Sequence, residues 1–269
     1  MEDEKFSEQV KEIILYSTTK NTSADNEDNN ELIKSGSKTF TTLDAYKNRL
    51  TDENKKVLYS TDEVSQSTAL NMWTSQGKEV LKLDTVIDTQ FIPWLEEKNK
   101  EINFVRVDSE LDESIKDDSP EIADKDGNTK SETLKKMISS ALNNEKVTVQ
   151  VQSLKGENSP PSLILLPEQM RRINDITALM EQKLPGLPEY HNLIVNSNHP
   201  LIQGLLKLNS NPIVIEGSSK SEEGQLASDI AIHVYEMAKL SIGGLENKDI
   251  AAFQTRNAEV LGKLMKKFV

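Results

Sequence analysis

The sequence has no cysteine, three histidines among its 269 residues, and aromatic side chains at only 5% of positions. Without thiols there is no disulfide, no thiolate metal site and no cysteine nucleophile. His191, His199 and His233 are too few and too scattered for a metal-ligand set. His199 at a helix start and His233 on a helix face suit structural roles. No run of about 18 apolar residues occurs, so no segment reads as a membrane-spanning helix. Positive charge is also short, with 32 Lys and Arg against 44 Asp and Glu and a net charge of -12. That balance argues against nonspecific binding to nucleic acid or to an anionic membrane. The opening MEDEKFSEQV is acidic and amphipathic rather than basic and then apolar, so the expected compartment is the cytoplasm.

The motifs of common chemistries are missing too. There is no Gly-x-x-x-x-Gly-Lys, Gly-x-Gly-x-x-Gly, His-Glu-x-x-His or Gly-x-Ser-x-Gly. Gly217-Ser218-Ser219-Lys220 imitates the end of a phosphate loop but lacks its leading glycine and a firm preceding strand. Asp124, Asp126 and Asn128 imitate the start of a calcium loop. Thr129 then stands where that loop needs glycine, and Lys135 where it needs the closing glutamate. The carboxylates are spread over surface faces, and no pair stands out as acid and base. No catalytic, cofactor-binding or metal-binding residue is expected.

What is present is 36% hydrophobic and 28% charged residues, the balance of a globular protein long enough for two cores. Residues 5–18 read as a helix already under way, with Phe6, Val10, Ile13 and Ile14 on one side, and the chain reads as a fragment of something longer. Residues 21–38 are polar and read as a solvated loop. From Phe40 onward, strands at 57–60, 79–83 and 102–107 alternate with helices at 65–75 and 85–95, which predicts an α/β unit with a largely parallel sheet. Residues 111–131, rich in acids and turn formers, read as a linker. Beyond it come a helix at 132–142, strands at 147–151, 162–166 and 192–195, and helices at 168–180 and 199–208. The expected fold is thus α/β followed by α+β, divided as 1–115, a linker at 116–131, and 132–269.

Two stretches carry more apolar surface than one buried stripe needs. The first is 222–269, read as two helices meeting at Gly243-Gly244, with Asn247 as the N-cap of the second. Leu226, Ile230, Val234 and Met237 recur at helical spacing in one, and Ile250, Phe253, Val260, Leu261, Leu264 and Phe268 in the other. Such a pair either folds back on its own domain or joins a second copy in a four-helix bundle. The second stretch is the helix at 168–180, where Leu166, Met170, Ile173, Ile176, Leu179 and Met180 form either ordinary core or an adaptable binding surface.

Eight segments, in order and at matching spacing, resemble the bacterial Hsp90 chaperone family. They are Ile14-Leu15-Tyr16-Ser17-Thr18-Thr19, Thr42-Leu43-Asp44-Ala45-Tyr46, Val57-Leu58-Tyr59-Ser60-Thr61, Gly77-Lys78-Glu79-Val80-Leu81, Val86-Ile87-Asp88, Glu168-Gln169-Met170-Arg171-Arg172, Val195-Asn196-Ser197-Asn198-His199-Pro200-Leu201 and Ser241-Ile242-Gly243-Gly244-Leu245-Glu246-Asn247. The resemblance implies the small three-layer α/β end of a middle domain followed by a complete C-terminal dimerisation domain. It implies a molecular chaperone whose ATP and Mg site lies in an N-terminal domain outside this chain, so that this piece has no cofactor and no catalysis of its own. It implies a homodimer through Leu226, Ile230, Val234, Met237, Ile250, Phe253, Val260, Leu261 and Leu264. It also implies client binding by unfolded or partly folded proteins at Leu166, Met170 and Ile173. A client-contacting tryptophan of the family falls near Gln90 here, with Phe91 or Trp94 as substitutes. The chain ends Lys267-Phe268-Val269 rather than in the Met-Glu-Glu-Val-Asp tail of eukaryotic members, so tetratricopeptide co-chaperones are not expected. The rival expectation is a non-catalytic structural or adaptor module with both apolar helices packed internally.

Overall fold

Short apolar runs between polar turns build the first half of the chain, and long amphipathic helices close the second. The computed structural model describes residues 13–20, 32–50, 55–111, 115–117, 129–156, 159–166, 190–209, 222–242 and 244–266. The chain divides into two units, Met1–Glu110 and Leu111–Val269. The expected helix at 168–180 and residues 5–12 of the helix expected at 5–18 lie outside the described residues.

The first unit runs β1 (Tyr16–Thr18), β2 (Leu32–Ser35), β3 (Lys38–Thr41), α1 (Leu43–Asn48), β4 (Lys56–Ser60), α2 (Ser67–Ser75), β5 (Leu81–Lys82), α3 (Val86–Lys98) and β6 (Asn103–Arg106). Its sheet has the order β2-β3-β1-β5-β4-β6. Only β5–β4 and β4–β6 pair in parallel, and the other three pairings are antiparallel, so the sheet is mixed rather than largely parallel. Two expectations are corrected here. Tyr16–Thr18 is a strand and not the end of a helix: Tyr16 and Thr18 point inward and Ser17 is only half-buried, a period of two. Residues 32–35 and 38–41 form a hairpin rather than a loop, closed by a two-residue turn in which Gly36 takes a φ of +63°.

Local chemistry sets the helix starts. Thr42 Oγ1 accepts the N–H of Ala45 at 3.2 Å to open α1. Thr85 and Asp88 form a reciprocal capping box on α3. The core gathers Tyr16, Leu43, Tyr46, Val57, Tyr59, Leu81, Phe91, Leu95 and Phe104. Strand β4 is buried along both of its faces from Val57 to Ser60, as an interior strand covered on both sides must be. Glu79 ties the unit together: Arg49 donates to both of its carboxylate oxygens, at 3.0 and 2.9 Å, and Thr18 Oγ1 donates at 2.7 Å.

The second unit runs α4 (Lys130–Leu142), β7 (Val147–Gln152), β8 (Ser162–Leu165), β9 (His191–Asn196), α5 (Pro200–Asn209), α6 (Glu222–Ser241) and α7 (Asn247–Met265). Thr129, the residue that spoils the calcium-loop pattern, caps α4 in a box with Glu132. Asn143 closes the same helix in the left-handed region, at φ 43°. The sheet has β9 in the middle, parallel to β7 and antiparallel to β8. Leu134 and Ile138 of α4, Ile202 and Leu205 of α5, and Leu226, Ile230 and Val234 of α6 pack with Val147, Val149, Ile164, Leu193 and Val195 in one core. Ile115 is fully buried, and its carbonyl accepts the N–H of Lys155, so the start of the expected linker is fastened to this unit.

Deleting buried methyl groups from this core leaves a cavity. Ile138→Ala is expected to lower unfolding free energy by about 2–5 kcal/mol, while Val64→Ala, at an exposed site of the first unit, changes it by less than about 0.5 kcal/mol. Urea titration of each variant checks both values, and equal effects would disprove the core assignment.

Candidate functional site

α6 and α7 are joined through residues 242–246, and both are long enough for their two sides to face different environments. α6 turns Leu226, Ala227, Ile230, Ala231, Val234 and Ala238 inward, a spacing that puts all six on one face. The backbone carbonyl of Val234 accepts from Ser162 Oγ at 3.0 Å, fastening that face to β8. α7 lies along α6 through ion pairs stepping in opposite directions on the two helices. Lys263 Nζ meets Asp229 at 2.6 Å, Arg256 pairs with Glu236, and Lys239 lies 3.8 Å from Asp249. Between them the His233 ring stacks on Phe253 with centroids 5.3 Å apart. Glu246 rather than Asn247 occupies the N-cap position of α7, with no side-chain cap bond.

The nine residues expected at a dimer interface separate into three groups. Leu226, Ile230, Val234 and Val260 are buried in their own unit's core, which corrects their assignment to a surface. Phe253 is half-buried, and Leu264 is half-buried against the core. Met237, Ile250 and Leu261 are exposed, and Leu240 and Met265, absent from the expected set, join them; all five are between 36% and 61% exposed. On α7 the outward residues Ile250, Gln254, Ala258, Leu261 and Met265 recur at three- and four-residue spacing and so share one stripe. Of the described residues of this 19-residue helix, only Val260 is buried. A single-sequence periodicity could not tell the two apolar stripes of each helix apart.

The expected client residues fare differently. Phe91 is 8% exposed and part of the first unit's core, stacked on Trp94 at 4.9 Å, so its assignment to a client surface is corrected. Trp94 is half-buried against that core. Leu166 packs at the edge of the second unit's core, and Met170 and Ile173 lie outside the described residues. Among the described residues no group of His, Asp and Glu is placed to hold a metal, and no helix is long and apolar enough to cross a membrane.

Two polar atoms at the hairpin, His233 Nδ1 and Glu236 Oε2, are buried with no hydrogen-bond partner among the described residues. Burial holds the His233 pKa below its ordinary value of 6.5, an effect that neighbouring Arg256 reinforces and Glu236 opposes. Burial likewise pushes the Tyr235 hydroxyl, 2.9 Å from His191 Nε2, up to about 12.

The profile of the Hsp90 protein family matches residues 2–267. The chain belongs to the Hsp90 family. It is similar to the chaperone protein HtpG of Porphyromonas gingivalis, 32% identical over an alignment of 169 residues that covers 58% of this chain and 24% of that protein. HtpG of Bacteroides fragilis is 30% identical over 167 residues, covering 60% of this chain and 24% of the relative. HtpG of Bacteroides thetaiotaomicron is 29% identical over 170 residues, covering 58% and 23%. The chain thus matches about a quarter of the length of these relatives.

A histidine held below its ordinary pKa takes up a proton more readily unfolded than folded. Its contribution to stability is therefore complete above about 6.5 and is lost as pH falls through that value. The urea midpoint should fall between about pH 7.5 and about pH 5.5, and less steeply in His233→Gln. His199, which burial also holds low, keeps part of the slope. Identical slopes in the two proteins would refute the role of His233.

Proposed function

We propose that this chain is a homodimerising, client-binding piece of an HtpG-type chaperone, with no ATP hydrolysis of its own. The observation that carries this reading is the outer stripe of α7. A 19-residue helix that buries one described residue, and turns Ile250, Leu261 and Met265 outward beside Met237 and Leu240 of α6, leaves apolar surface for a partner. A second copy placing the same two helices against these would complete a four-helix bundle by a two-fold, self-complementary contact. Family membership supports the chaperone role, and the name of the matched relatives, chaperone protein HtpG, supports the HtpG type. The client surface is assigned to the segment around Leu166, Met170 and Ile173, whose methionine and isoleucine side chains adapt to varied partners. ATP and Mg would act in a domain outside this chain, and the cytoplasm is the proposed compartment.

Sedimentation velocity at tens of micromolar tests the assembly, with a dimer expected and a monomer fatal to the reading. Leu261→Glu with Met265→Glu should give a monomer with stability changed by less than about 1 kcal/mol, because both sites are exposed within one chain. Val234→Glu, by contrast, should unfold the domain, because it buries an unpaired charge. For the client surface, Met170→Ser with Ile173→Ser should weaken suppression of aggregation of an unfolded test protein while the melting temperature stays within a few degrees. A collapse in melting temperature would make those residues core instead. Measurable ATP turnover by the chain alone would overturn the non-catalytic part of the proposal.

A further inference from the structure

Three ionisable side chains and one aromatic ring meet where α7 lies along α6. The His233 ring stacks on Phe253 with centroids 5.3 Å apart and planes 11° from parallel, and Arg256 pairs with Glu236. His233 and Glu236 are three residues apart and so share one face of α6, as Phe253 and Arg256 share one face of α7. The Nδ1 of His233 and the Oε2 of Glu236 are both buried with no partner among the described residues. While the ring is neutral the cluster carries no net charge, one carboxylate against one guanidinium. A proton on Nδ1 makes two cations around one carboxylate. The new N–H has Glu236 to turn to, but Arg256 already holds it. One cation is then left uncompensated in a partly buried place, which disfavours the arrangement. Neighbouring groups give no relief. Asp229, one turn earlier on α6, pairs with Lys263 of α7, and Asp249 of α7 faces Lys239. The Tyr235 hydroxyl is engaged by His191 of β9.

We propose, resting on the homodimer reading above, that His233 makes self-association of this chain sensitive to pH, its protonation loosening α7 from α6 and weakening the dimer. α7 is the helix that presents Ile250, Leu261 and Met265, and its hold on its own chain is slight, since of its described residues only Val260 is buried. The His233–Phe253 stack and the Arg256–Glu236 pair sit near the middle of α7. On either side of them lie the Lys239–Asp249 and Lys263–Asp229 ties. Whichever cation wins Glu236, one of the two central ties weakens. Burial of the ring, reinforced by Arg256, outweighs the pull of Glu236 and holds the His233 pKa below 6.5 in the docked hairpin. A loosened hairpin therefore binds the proton better. Affinity between copies is full above about pH 6.5 and falls as pH drops through that value.

Sedimentation equilibrium of the whole chain at about pH 7.5 and about pH 6.0 tests the switch. The dimer dissociation constant is expected to rise about fivefold at the lower pH, because one such histidine titrates in each copy. In His233→Gln the rise should shrink to whatever His191 and His199, which remain, contribute. In Arg256→Gln a protonated ring has Glu236 to itself, so the rise should vanish or reverse. A purely structural role for either side chain would lower affinity equally at both pH values. Dilution calorimetry of the unaltered chain in two buffers of different ionisation enthalpy needs no variant, and near pH 6.5 dissociation should take up protons. A dimer with the same dissociation constant at both pH values, no proton uptake, or full pH dependence in His233→Gln would each overturn the role of His233 and leave the dimer standing. A monomer at pH 7.5 would overturn both.

Discussion

A long helix holds its place only if one of its sides is removed from water, since backbone hydrogen bonding alone leaves a helix of this length marginal. α7 meets that requirement weakly within its own chain. Val260 is buried, Phe253 and Leu264 are partly covered, and the remaining attachment to α6 is made by ion pairs and by the stacking of His233 on Phe253. Partly exposed ion pairs contribute little each, and salt screens them. Within the described residues of its own chain the helix thus has little apolar cover. The proposed dimerisation rests on its outer apolar stripe.

The first unit solves a different problem. Its sheet joins a polar antiparallel hairpin to three parallel strands, and the join is made around a charged side chain. Glu79 draws donors from β1 and from the residue that closes α1, while its own backbone carbonyl accepts from the Tyr46 hydroxyl at 2.8 Å. Removing one partner of such a partly buried cluster leaves the others unsatisfied, which costs more than the net worth of any single bond. The cluster thus specifies how the hairpin seats against the parallel strands.

Much of this was legible in the amino-acid order. The helices expected at 65–75 and 85–95 and the 222–269 periodicity fall within a few residues of the observed elements, because amphipathic repeats act locally. The hairpin was missed because Lys34, Ser35 and Lys38 make its stretch polar. The signal was nonetheless present in Gly36 between Leu32-Ile33 and the Thr-Phe-Thr alternation at 39–41. At the candidate interface the apolar residues were identifiable but their directions were not. Leu226 and Leu261 look equivalent in sequence, and only tertiary packing makes one core and the other surface. Phe91 was misplaced for the same reason: aromatic content marks importance, and the sheet decides which way the ring faces.

The three-residue strand β1 lies between β3 and β5 and is hydrogen-bonded to both. It is the sole seam between the β2–β3 hairpin and the parallel strands of its sheet. A shortened chain beginning after Lys20 would therefore not lose an edge. It would sever one continuous sheet into a two-stranded ribbon, too small to persist in water, and a three-stranded remnant with a newly bare central border prone to pairing with other chains.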